Sequence, residues 1–272
     1  MYWSIKNKQR KMILKMIVFL LIVTNLIFIL LLNKKKIKNY FYKPKIKQID
    51  ISQAHEIFKL KEISKNLKGP KNDVIIKSFS ISSNNNIVGM TSDQEGWIIG
   101  SLSKISKNIF EFGTCSGKTT YIMALNSNDD AKITSITLDP KDVSEVSKKN
   151  DDNKVSFRNI KHESIYDKFL FSGEIVAEKI DVIFQNSLDF NHKKYLGKMD
   201  LIFIDGGHTY SVVKNDSEKS FEMLNSKGII LWHDYVPGKR SAQDVVKYIH
   251  EISKERNLYS IKGTSLVYYK NE

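Results

Sequence analysis

The spacing of apolar residues divides the chain into two regimes. Residues 12–32, MILKMIVFLLIVTNLIFILLL, are apolar almost without a break, interrupted chiefly by Lys15 and Asn25. As a helix these residues would extend roughly 32 Å, about one bilayer hydrocarbon core. Further on, Ala54, Ile57, Phe58 and Ile63 recur near helical spacing. Ser52 is placed to cap a start and Gly69-Pro70 a stop, which predicts an amphipathic helix over 51–67. Residues 74–81 read as a strand and 82–86, SSNNN, as a loop, so the globular domain is expected to begin near Gly89. From there short apolar runs alternate with helical patterns. A helix is expected over 93–106, a strand at 109–112, a helix from 119, a strand at 132–138 and a helix at 140–149. Residues 155–178 give no readable pattern. Strands follow at 180–184 and 201–204, then a helix at 212–224, a strand at 228–232 and a helix at 242–256. Two closing strands are expected at 258–261 and 265–269. Alternation of this kind predicts an α/β fold with a mostly parallel sheet.

The stretch at 108–125, NIFEFGTCSGKTTYIMAL, is the organising feature: an apolar strand, a turn bracketed by Gly113 and Gly117, and a helix start. Free N–H groups and the positive end of a helix dipole make such a turn a ligand cradle, and glycine lets a ligand approach the backbone. Glu111 adds a carboxylate suited to hydroxyls or a positive charge. The plain alternative is a turn that only joins strand to helix.

Charge separates the same two regions. The net charge is +13 over 272 residues, but residues 1–50 carry 12 Lys/Arg and one acid, leaving only +2 for 51–272. A nearly neutral domain argues against a broad nucleic-acid face. The basic segment suits an anionic membrane surface. Lysines 34, 35 and 36 directly after the apolar run favour an uncleaved anchor over a signal peptide, which would end in small residues. Because the heavier basic flank follows the run, the positive-inside rule puts the C-terminal domain in the cytoplasm. The expected organisation is a basic tail (1–11), a single-pass anchor (12–32), a basic linker (33–88) and a globular domain (89–272). The single cysteine, Cys115, excludes an intrachain disulfide and any cysteine-cluster metal site.

Glu111, Asp139, Asp189, Asp205, His208, His233 and Asp234 all fall at or just beyond expected strand ends. In open α/β sheets ligands bind at those carboxyl ends. An acid such as Asp139, ending the second strand, can accept both hydroxyls of a ribose.

The pattern Glu111-x-Gly113-x-x-x-Gly117-x-Thr119, with IDGGHTY at 204–210 and LWHDY at 231–235, resembles class I S-adenosylmethionine-dependent methyltransferases. The resemblance is to the branch of catechol, sugar and small-molecule O-methyltransferases. It implies a Rossmann-like, doubly wound, seven-stranded sheet and S-adenosyl-L-methionine as cofactor. It implies that Glu111, Gly113, Thr114, Gly117, Asp139 and Asp205 hold the cofactor, with Ser187 and Asp189 at the adenine edge. A small-molecule or glycan acceptor would then meet Asp205 and His208. Two routes to its proton stay open: His208 as general base, or a Mg2+ ion on Asp205, Asp234 and, less suitably, His233. The same turn also resembles a phosphate-binding loop one residue short, which would point to a nucleotide phosphohydrolase or kinase. A third reading is a non-catalytic, membrane-tethered protein that retains the fold.

Overall fold

The computed structural model describes residues 2–32, 46–54, 56–79 and 90–271. The chain divides into two compact units, Met1–Pro44 and Lys45–Glu272. In the first, α1 (Tyr2–Leu32) is one continuous helix, so the expected tail over 1–11 is helical from Tyr2 onward. Its window Met12–Ile29 has a mean hydropathy of 2.6 and is unburied. Lysines 34–45, the loop at 82–86 and the boundary at Gly89 lie outside the described residues.

The second unit begins earlier than expected. β1 (Lys47–Ile49) belongs to the main sheet. Next come α2 (Ile51–Ala54), a 3-10 turn and a hairpin of β2 (Leu60–Ser64) and β3 (Leu67–Pro70). The helix expected over 51–67 is therefore corrected to one helical turn and a hairpin. The apolar spacing satisfied both readings, but Lys59-Leu60-Lys61 already alternates with period two. Residues 74–79 form no strand; Asn126 instead bonds both backbone groups of Ile75 at 2.8 Å.

The elements that follow are α3 (Asp93–Ser103), β4 (Asn108–Phe112), α4 (Lys118–Asn126), β5 (Lys132–Thr137), α5 (Lys154–Glu163), β6 (Ile180–Phe184), β7 (Met199–Ile204), α6 (Tyr210–Met223), β8 (Leu224–Trp232), α7 (Gln243–Ile252), β9 (Tyr259–Ile261) and β10 (Val267–Lys270). The helix expected at 140–149 does not form. Asp139 accepts the N–H of Lys141, and turns occupy the stretch. Val143 and Val146 alone supply no apolar stripe to bury. Within the unparsed segment, Asn153 accepts the N–H of Val155 and caps α5.

The strand order is β1-β9-β10-β8-β7-β4-β5-β6. The sheet has eight strands rather than seven, the addition being β1 from the expected linker. β10 runs antiparallel to β8 and β9, and the other pairings are parallel. Alternate residues of each central strand feed two cores. Phe110, Phe112, Ile202 and Trp232 pack toward α6 and α7. Ile109, Leu201, Phe203 and Leu231 pack toward α3 and α4. This is the Rossmann-like, doubly wound arrangement. The chain runs β4–β5–β6 to one edge and then returns beside β4 as β7, which puts the topological switch point between β4 and β7.

Candidate active site

A cavity of about 240 Å³ opens at that switch point. Gly113, at the end of β4, has φ +99°, and a β-carbon there would lie 2.2 Å from the carbonyl oxygen of Asp205. The glycine lets the ends of β4 and β7 pack together. Gly117 has φ +82°, and its open side faces Phe171 and Phe169. It does not line the cavity; Gly113, Thr114, Cys115 and Ser116 do. Both glycines are thus required by the fold itself, in addition to any ligand.

Glu111 stands behind the turn, fully buried. Its carboxylate takes hydroxyls from Thr119 at 2.6 Å, Ser135 at 2.5 Å and Thr120. Burial raises its pKa to about 7, against the pull of those hydroxyls. The side chain is absent from the cavity wall, so its role is to hold the turn. Lys118 donates to the carbonyl oxygen of Thr91 at 2.9 Å, and burial lowers its pKa. This ammonium fastens residues 90–92 against the turn, where a phosphate-binding lysine would face a ligand.

Of the expected adenosyl-edge residues, Ser187 lines the cavity beside Gln185 and Asn186. Asp189 is exposed and lies outside the wall. Asp139 also falls outside it, two residues past β5, where the wall is Thr137 and Leu138.

Asp205, His208, His233 and Asp234 come together. His233 Nδ1 is 3.0 Å from Asp205 Oδ1 and 3.2 Å from Asp234 Oδ2. His208 Nε2 is 3.2 Å from Asp234 Oδ2 and 3.9 Å from Asp205 Oδ1. Asp234 sits in the left-handed region, φ +56°, which turns its carboxylate back toward His208. His233 is buried, with Nε2 3.6 Å from Glu95 Oε2, an ion-pair distance too long for a hydrogen bond. Burial opposes the charge on every member of the cluster. Mutual attraction outweighs it, holding both aspartates below, and both histidines above, their ordinary values. For His208 the result is about 9, through the neighbouring carboxylates of Asp205, Asp234 and Glu163.

Four wall residues were not singled out in the sequence. Glu163, from α5, lies near His208, and burial raises its pKa. Asp216, from α6, is fully buried and raised to about 7 by desolvation. Asp152 accepts the N–H and hydroxyl of Ser211 at 2.9 and 3.0 Å, fixing the start of α6. Thr209 Oγ1 is buried without a hydrogen-bond partner among the described residues. The Asn153 cap of α5 was the available signal for Glu163, and Thr209 lay within the IDGGHTY stretch; the other two had none.

These residues fit a cationic adenosyl cofactor. Five carboxylates line the cavity, those of Asp152, Glu163, Asp205, Asp216 and Asp234, and Thr209 offers an unclaimed hydroxyl. A divalent cation also fits: one ligand atom each from Asp205, His208 and Asp234 lies within 4.8 Å of the others. The two carboxylates suit Mg2+, with water or substrate oxygens filling its octahedron, and the imidazole of His208 is the poorer ligand. His233, the other expected ligand, is instead spent on the two carboxylates and Glu95.

Residues 110–235 match the family described as "Methyltransferase domain". No curated protein shows significant sequence similarity to the chain. Similar solved structures include the O-methyltransferase TomG of Streptomyces achromogenes in complex with SAM (12% identity, TM-score 0.45, 66% of this chain and 81% of that one). Others are the O-methyltransferase of Bacillus cereus in complex with SAH (15%, 0.45, 66% and 82%) and SAH-bound PaMTH1 of Podospora anserina (16%, 0.47, 67% and 79%). The family match covers 126 of the 272 residues, so over 110–235 the chain is similar to methyltransferase domains.

Proposed function

We propose that this protein is a membrane-tethered O-methyltransferase acting on a hydroxyl of a small molecule or glycan. The observation that carries the reading is the Asp205–His208–Asp234 cluster in the wall of the cofactor cavity. The cofactor supplies a methyl group on a sulfonium. The turn at 113–116 and the edge at 185–187 would hold its two ends, with Asp139 reaching the ribose after a local shift. The acceptor would enter between α5 and the segment after β7, where Glu163 and His208 face the cavity. Positioning of the acceptor oxygen in line with the methyl contributes much of such a rate enhancement. His208 is the base we assign. Asp234 and Asp205, both on the side of Nε2, orient its ring and compensate its positive charge once the other ring nitrogen has taken the hydroxyl proton. A positively charged cofactor beside the ring lowers its pKa from the value of about 9 and so favours the neutral form needed to begin.

The phosphate-loop alternative loses its central residue, since Lys118 is spent on Thr91. The anchor reading rests on α1, whose 18-residue apolar window is long enough to cross a bilayer. A cytoplasmic domain follows from the heavier basic flank at 34–47. The test is full-length protein in detergent micelles, incubated with methyl-labelled cofactor and a panel of hydroxylated small molecules and glycans. Label in an alkali-stable methyl ether supports the assignment. Label only on nitrogen acceptors overturns the oxygen specificity, and cofactor binding without transfer to any acceptor favours a non-catalytic protein.

A further inference from the structure

The apolar window of α1 holds two uncharged polar residues, Thr24 and Asn25, and its own backbone serves them unequally. The Thr24 hydroxyl lies 3.0 Å from the carbonyl oxygens of both Leu20 and Leu21 and donates within the helix. The Asn25 side chain donates one N–H to the Leu21 carbonyl at 2.8 Å. Its second N–H and its own oxygen have no hydrogen-bond partner among the described residues, and the residue is exposed. Asn25 stands ten positions after Lys15 and seven before Leu32, the last residue of α1. At roughly 1.5 Å per residue these are about 15 and about 10 Å along the axis, inside a hydrocarbon core about 30 Å thick. The placement rests on the membrane-tethered reading above. Water does not reach that depth, and an unmatched amide in hydrocarbon is costly.

The residues around Asn25 define one face. Leu14, Val18, Leu21, Asn25 and Phe28 are spaced alternately by four and three, the seam of a two-stranded coiled coil. Val18 and Asn25 take its a positions, and Leu14, Leu21 and Phe28 its d positions. The four apolar members are all exposed along α1. A β-branched residue at a with leucine at d favours two parallel strands, and a single asparagine at an a position fixes their register. The window has no glycine, alanine or serine, so a close contact through small residues does not compete with this face. A second copy of the chain meets both demands. It inserts in the same orientation, so it runs parallel and brings its own Asn25 to the same depth. Each amide is donor and acceptor at once, so two of them about a twofold axis complement one another.

We propose that α1 is a dimerisation element as well as an anchor: two copies of this chain pair in parallel along Leu14, Val18, Leu21, Asn25 and Phe28, with the two Asn25 amides hydrogen-bonded to each other inside the membrane.

The test uses full-length protein. Membranes carrying it are washed with alkaline carbonate and then solubilised, and association is followed by sedimentation equilibrium in density-matched detergent micelles. Wild type should survive the wash in the membrane and dimerise reversibly as the protein-to-detergent ratio rises. Asn25→Leu should weaken the dimer by about tenfold, and Asn25→Gln, which keeps the amide, should retain most of it. In unsolubilised membranes an oxidant should crosslink Val18→Cys into a disulfide dimer but not Val23→Cys, which lies on the opposite face of the helix, with wild type as the background for Cys115. Membrane-retained wild type that stays monomeric overturns the proposal and leaves the anchor intact, as does a dimer that Asn25→Leu leaves at full strength. Equal crosslinking at positions 18 and 23 overturns the assigned face, and a crosslinked product that is not twice the mass of the chain overturns the second copy as partner. Release of wild type by carbonate overturns the tether itself, and the pairing with it.

Discussion

Gly113 and Asp205 stand so close that a β-carbon on the glycine would lie 2.2 Å from the aspartate's carbonyl oxygen. The strand that carries the cofactor turn and the strand that carries the acid are therefore fixed to one another at the switch point. Gly113→Val should destabilise the ligand-free protein by about 3 kcal/mol or more, because strain and backbone collision act without any ligand. Chemical denaturation of the unliganded variant checks this. Unchanged stability with binding lost would mean that the glycine serves only the ligand.

Cofactor affinity separates two residues of opposite expectation. Asp139→Ala should weaken S-adenosylmethionine binding by about 1.5–3 kcal/mol through loss of a charged acceptor. Lys118→Ala should weaken it far less, since its ammonium bonds Thr91 and faces no phosphate. Calorimetry on both variants decides; the reverse ranking would restore the phosphate-loop reading.

Turnover should depend on the neutral form of His208. With a pKa of about 9 in the unliganded site, kcat/KM for the cofactor should climb nearly tenfold per pH unit below that value and level off above it. His208→Ala should lower kcat by about 10²-fold and leave cofactor affinity nearly intact. With His208 acting as a metal-free base, EDTA should leave the rate unchanged. A rate that collapses with chelator and returns with Mg2+ would reassign the three residues to a metal.

Glu111 makes stability fall as pH rises toward neutrality. Its folded pKa, about 7, lies above the ordinary 4.5, so its contribution is complete below pH 4.5 and is lost as pH rises to 7. The loss is on the order of 3 kcal/mol. Glu111→Gln should flatten that part of the unfolding profile, with the remaining slope of the same sign belonging to Asp216. An unaltered slope in the variant would place the ionisation elsewhere.

The apolar window of α1 gives a test by extraction. Full-length protein should stay with membranes through alkaline carbonate and leave only with detergent. Release by carbonate or salt alone would reduce α1 to a peripheral or cleaved segment.

Runs such as IFEF, LIFI and IILW are buried on both faces, and continuous apolarity of that kind reads clearly from sequence. The order of strands, their polar ends and the glycine turn were legible for the same reason. The region before Gly89 was not. Its apolar residues fit helix and hairpin alike, and only the parallel partner β9, two hundred residues away, settles Lys47–Ile49 as a strand. At the site, the sequence brought Asp205, His208, His233 and Asp234 to one edge but left their division of labour open. Which carboxylate His233 faces, and that Glu95 waits on its far side, depends on α3 packing across the sheet.

Residues 90–95 perform no chemistry, yet they complete a ring. Lys118 of the cofactor turn holds Thr91, and Ser92 and Glu95 cap α3 reciprocally. Glu95 faces His233, His233 bonds Asp205, and the Asp205 N–H returns to Phe112 at the root of the turn. Each link is a hydrogen bond or an ion pair, the loosest being Glu95–His233 at 3.6 Å, so a displacement at one is passed to the next. Ser92→Ala, a change at a helix cap far outside any list of reacting groups, would therefore register twice, once as a frayed helix and once as a misaimed aspartate.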